Sequence, residues 1–182
     1  MQVESGLNMN PRDVKIRVRT SPEIDTPHAQ VNASSQIELR VDKDGNVAIS
    51  TDNPIGVKFM GMTLATISDI ELSERGEVLR HSINAPFLVK AQVEREICKA
   101  ASKIPFGIVE TYLRRAGLES GSEVSVVVNA DKSVDICSNR ELSLGRGACK
   151  CSKFHISCDG KVGELGLDLS SPIWEKFQSC LV

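Results

Sequence analysis

The stretch from residue 104 to 136 leaves this chain the fewest ways to fold. Val109, Tyr112, Leu113 and Ala116 recur at helical spacing, and Glu110, Thr111, Arg114 and Arg115 fall on the other side. Pro105 suits a helix start, where the N–H that proline lacks would find no partner anyway. Gly117 suits the left-handed position that ends a helix, and Leu118 can then fold back on the last turn. Gly121 marks a turn. Val124, Val126 and Val128 alternate as a strand, Ala130, Asp131 and Lys132 form a turn, and Val134 and Ile136 open a return strand. The unit is a helix, a tight turn and a hairpin.

Ile104-Pro105, Val109, Leu113, Gly117-Leu118, Gly121-Ser122 and the Val124/Val126/Val128 strand together resemble the AbrB-type swapped-hairpin domain. The resemblance covers residues 104–136 of 182. It implies a dimer that binds DNA. That family carries a strand with basic residues and a glycine just before its Ile-Pro. This chain has REICKAASK there, which has helical spacing, so the family's DNA-contacting strand has no clear counterpart.

The rest of the chain supplies mainly strands. Val14, Ile16 and Val18 alternate with Lys15, Arg17 and Arg19, so a half-buried strand would carry a basic outer face able to meet phosphate. A solvated strand face explains the same residues. Ile37, Leu39 and Val41, then DKDGN, then Val47 and Ile49 predict a hairpin. The DKDGN run lacks the glycine and glutamate positions of a calcium loop and reads as a plain turn. Val57, Phe59, Leu64, Ile67, Ile70 and Leu72 suggest two or three more short strands. Asp69, Glu71, Glu74 and Glu77 form an acidic, solvated surface.

Helical spacing of Val89, Val93, Ile97 and Ala100/Ala101 predicts a first helix over about 86–102, capped by Asn84, ahead of the second over 105–116. Arg114 and Arg115 close the second helix, where cations favour the helix dipole and could also reach DNA. Phe154, Ile156 and Cys158, then Asp159-Gly160, then Val162, Leu165 and Leu167 predict a second hairpin. Ser171 and Pro172 would start a short terminal helix carrying Trp174 and Phe177. The expected fold class is α+β, with a β-rich N-terminal part, a central helix pair, C-terminal hairpins and the terminal helix. Residues 1–12 read as a flexible arm, 13–80 as the β-rich part and 81–182 as the helix pair with hairpins, the last two forming one compact domain or two tightly packed ones.

Cys137, Cys149, Cys151, His155 and Cys158 are the densest set of soft ligands and are candidate zinc ligands. Their C-x-C-x3-H-x2-C spacing is no standard finger, and a regular strand over 154–158 would turn His155 and Cys158 to opposite faces. Arg146, Lys150 and Lys153 beside Cys149 and Cys151 allow a redox role instead. Ordinary reduced thiols account for Cys98 and Cys180, and could account for the whole set.

Net charge is −2, which does not suggest nonspecific binding to nucleic acid across the whole surface. No signal-peptide pattern opens the chain, and no run approaches the roughly 18 apolar residues of a membrane helix. An intracellular protein is expected. The three histidines lie far apart, and neither a phosphate-binding glycine loop nor a nucleophile elbow is present. The leading expectation is a non-enzymatic regulatory or nucleic-acid-binding homodimer, contacting DNA or RNA through Lys15, Arg17, Arg19, Arg114 and Arg115. The alternative is a protein–protein interaction or viral accessory module, stabilised by zinc in one version. A cysteine-dependent enzyme using Cys149 or Cys151 is third.

Overall fold

The computed structural model describes residues 10–144 and 149–164. Among the described residues, eleven strands and two helices are formed: β1 (Val14–Thr20), β2 (Ile24–Asp25), β3 (Ala29–Val31), β4 (Gln36–Val41), β5 (Val47–Phe59), β6 (Met62–Leu72), β7 (Val78–Asn84), α1 (Lys90–Ala101), α2 (Phe106–Arg115), β8 (Glu123–Val128), β9 (Val134–Leu144), β10 (Cys149–Ile156) and β11 (Val162–Glu164). The chain is mostly β, compatible with the α+β class. Residues 1–9 of the predicted arm, residues 145–148, Leu165 and Leu167 of the predicted second hairpin, Cys180 and the predicted terminal helix lie outside the described residues.

Alternation along β1 decides how the sheet is used. Val14, Ile16 and Val18 face one side, and Lys15, Arg17 and Arg19 the other. β4 runs antiparallel beside it, with Ile16 opposite Leu39 and Arg17 opposite Glu38. β8 runs parallel on the other edge, with Ile16 beside Val124. The sheet then reads β11-β10-β9-β8-β1-β4-β5, continuing through β6 to β7. β3 takes the second half of β5, beyond the end of β4, and β2 pairs with β3.

The 57–72 region forms two long strands rather than several short ones. β5 runs unbroken, but its register with β6 shifts between Ser50 and Ile55, the stretch that holds Pro54, a residue with no N–H to give the ladder. A Cβ at Gly56 would lie 3.2 Å from Thr63 and 3.3 Å from Gln30, a tight fit that a few tenths of an ångström of movement in those side chains would have to relieve. The first helix begins later than its spacing suggests. Asn84 is used in the β6–β7 ladder opposite Thr66, and α1 starts after Val89 with no side-chain cap.

α2 lies against the apolar side of the sheet. Its Phe106 and Leu113 join Val14, Val41, Val47, Val124, Leu142 and Phe154 in one cluster. The helix ends as its glycine predicts. Gly117 takes φ 73°, its N–H donates to Arg114 O at 3.0 Å, and Leu118 N–H donates to Leu113 O at 2.9 Å. Leu118 and Leu113 are both buried.

Packing already includes Pro11, which is buried, and Arg12. The Arg12 guanidinium lies 5.3 Å from the Phe106 ring centroid, meets Glu74 at 2.7 Å and donates to Lys43 O at 3.2 Å. It thereby joins the DKDGN turn, α2 and the 74–76 turn. Burial alone would raise the Asp42 carboxyl in the DKDGN turn. Hydrogen bonds from the backbone and side chain of Asn46, and from the backbones of Asp44 and Gly45, outweigh that and hold it below the ordinary value.

Candidate protein-docking face

The predicted basic residues divide between two sides of the sheet. Lys15, Arg17 and Arg19 share the polar face with Arg40, but Arg17 meets Glu38 at 3.1 Å and Glu123 stands beside Lys15. Arg114 and Arg115 belong to α2, on the apolar side, and Arg114 is bound to Glu110 at 2.5 Å. They do not form one surface with the β1 row.

The predicted metal ligands are also spread. Cys137 and His155 fall on the polar face, in adjacent rows, because Cys137 pairs with Lys153 and His155 with Asp135. A register shift between Cys151 and Lys153 turns Cys151 towards the core, where its thiol donates to Lys153 O at 3.1 Å. Cys158 is exposed in the turn after β10. The backbone of Cys149 pairs with Leu144, and its side chain, like that of Lys150, lies outside the described residues, as does all of Arg146. Among the described residues, no three His, Cys, Asp or Glu gather in a metal-holding group. Cys98 sits on α1, where burial, and then the Glu94 charge, raise its thiol pKa.

An unforeseen network surrounds His155. Its Nδ1 lies 2.6 Å from Asp135 Oδ1, and Asn129 Nδ2 donates to Asp135 Oδ2 at 2.8 Å. The His155 hydrogen bond, then that of Asn129, holds the Asp135 carboxyl below its ordinary 3.8. A depressed carboxyl stabilises the fold above its unfolded pKa, and that contribution is lost as pH falls through the folded value. Asp135→Asn should therefore cost about 1 kcal/mol at pH 7. Its urea midpoint should converge on that of the parent as pH drops below about 4. A constant gap from pH 7 to 2 would show that the charge is not involved.

Among the described residues, exposed apolar side chains also gather elsewhere. β5 and β6 are joined by Met60 and Gly61, with φ of 51° and 79°. Two positive φ values match a two-residue turn to the twist of the strands. The tip leaves Phe59, Met60 and Met62 exposed at 62, 83 and 63%. α1 has no buried residue, although Val89, Val93 and Ile97 recur on one side. That side lies over the hairpin and leaves an open groove of about 490 Å³, lined by Val57, Phe59, Leu64, Val89, Val93 and Ile97. Phe87 and Leu88, just before Val89, are each 93% exposed.

A second hollow, of about 330 Å³, adjoins this groove through Leu64 and runs along β6 to Asn84 and Pro86. It follows from strand lengths. β7 pairs with β6 only from Thr66 onward, so among the described residues the outer edge of 62–65 has no partner strand. Sequence periodicity identified the α1 stripe but not what lies beneath it. The adjacent apolar pair Phe87-Leu88, outside the helical stripe, was the available signal.

No family model, curated protein or solved structure matches this chain. Among the described residues, no helix is long and apolar enough to cross a membrane.

Proposed function

We propose that this chain is a non-enzymatic binding protein that docks a protein partner on the face formed by α1 and the β5–β6 hairpin. The observation that carries this is the exposure of Phe59, Met60, Met62, Phe87 and Leu88 around one apolar groove. A free surface loses by leaving such groups in water, and a partner recovers roughly 25 cal/mol for each Å² covered. Contact with nucleic acid is the second reading. It rests on Lys15, Arg17, Arg19 and Arg40 on the polar face, where Glu38 and Glu123 offset much of the charge.

A photo-cross-linking residue in place of Phe87, in cells that make the protein, tests both. Protein adducts are expected from position 87 and not from the exposed Ser125 of the polar face. No protein adduct above background at position 87 would end the docking reading. Nucleic-acid adducts at Ser125 alone would put the second reading in its place.

A further inference from the structure

We infer that the polar face of the sheet holds a binding site for a phosphate group, in a shallow hollow of about 250 Å³ above Ser125 and Cys137. The inference does not rest on the docking reading, and its residues lie on other strands. Register sets one row across four strands. Arg17 on β1 stands beside Ser125 on β8, Ser125 opposite Cys137 on β9, and Cys137 opposite Lys153 on β10. Side chains paired in this way share a face, with Cβ atoms about 5 Å apart. Two short side chains therefore form a floor between two long cationic ones. The hollow stays open at one end because β9 leaves the ladder after Ser138, its last pair with β8 being Val124 and Ser138. Beyond that point Asn139 replaces the strand. Its Oδ1 accepts from the Glu123 N–H at 2.8 Å, and its Nδ2 donates to Gly121 O at 3.0 Å.

The charge around this floor favours an anion. Lys15 lines the same hollow as Arg17. Arg17 gives its Nε to Glu38 at 3.1 Å, which leaves its two terminal nitrogens for another acceptor. Among the described residues, Lys15 and Lys153 make no ion pair, and neither do Arg19 and Arg40 on the same face. Three carboxylates face this group. Glu38 is bound to Arg17, Asp135 is held by His155 and Asn129, and only Glu123, at the Lys15 end, is unpaired. The hollow is smaller than the roughly 300–1,000 Å³ of a pocket for a drug-sized molecule, so it suits one group rather than a whole ligand. A phosphate can turn separate oxygens to Arg17, Lys15 and the Ser125 hydroxyl at once. A carboxylate, with two oxygens in one plane and a single charge, satisfies fewer of them.

Titration of the isotope-labelled full chain with inorganic phosphate at pH 7, with chloride holding the ionic strength constant, should give saturable amide shifts centred on Ser125 and Cys137. Acetate should bind at least about ten-fold more weakly. Arg17→Gln and Lys153→Gln should each weaken phosphate binding at least about five-fold, and Glu123→Gln should tighten it about three-fold. Arg115→Gln, on α2, should leave it unchanged. All four side chains are exposed, so these changes should not disturb folding, and circular dichroism checks this. Absence of saturable shifts at 125 and 137 overturns the inference. So does acetate binding as tight as phosphate, or phosphate binding indifferent to both Arg17→Gln and Lys153→Gln. Glycerol phosphate and a short single-stranded DNA then distinguish the source of the group. Tighter binding of glycerol phosphate assigns a small phosphate monoester, and tighter binding of DNA with a steep salt dependence assigns a nucleic-acid backbone. Failure of the phosphate site leaves the cross-linking result at position 87, and the docking reading with it, unaffected.

Discussion

Replacing Phe106 with alanine should cost about 3–5 kcal/mol of stability, read from urea or thermal unfolding. Phe106 is 2% exposed and is the first residue of α2. Its ring packs with Val14, Val41 and Val47 on one side, and the Arg12 guanidinium lies over it. Its N–H donates to Glu74 O at 3.0 Å, so the backbone is held as well. The surroundings belong to the DKDGN turn, the sheet and α2, and they cannot all move in to fill the space. Tyr112, on the exposed side of the same helix, provides the comparison. Tyr112→Ala should stay within about 0.5 kcal/mol of the parent. If Phe106→Ala costs no more than Tyr112→Ala, α2 does not anchor the sheet.

Gly76→Ala should cost about 2–3 kcal/mol. Gly76 has φ +85°, which an L side chain adopts at a penalty. Its added Cβ would also lie 2.8 Å from Ser102 O, a backbone atom at the end of α1, and close to Pro105. Relief of that contact requires the link between the helices to shift. Gly160 separates the two effects. It has φ +82° but open space around its Cβ position, so Gly160→Ala should show the backbone penalty alone, about 1 kcal/mol. Equal losses at the two positions would mean that the close approach to Ser102 is relieved without cost.

These two sites also show how far local pattern reaches. The alternation of β1 and β4, the DKDGN turn, the glycine exit of α2 and the valine hairpin were all legible, because each is governed by residues a few positions apart. The parallel pairing of β1 with β8 was not, since nothing in either strand names the other. Gly76 carries no periodic signal and acquires its role only when the end of α1 arrives beside it. The same limit applied to function. The Lys15, Arg17 and Arg19 row was recognisable as one face, but Glu38 and Glu123 come from other strands. Cys151 and Lys153 share a parity that the register shift removes. The groove arises between β5, β6 and α1, and the hollow beside it depends on where β7 stops.

The parallel contact of β1 with β8 also orders events during synthesis. Ile16 stands beside Val124, so that edge of β1 waits until more than a hundred further residues have left the ribosome. β4 can close the opposite edge much earlier, since its hairpin partner β5 follows directly. In the interval the nascent chain presents an apolar strand with one unpaired edge, a template for pairing with neighbouring nascent chains. Slow translation between residues 60 and 120 would lengthen that exposure, whereas rapid delivery of the 104–136 unit would end it. The helix and valine hairpin would thus serve as the closing piece of the nascent fold, and the yield of native protein would depend on how promptly they emerge.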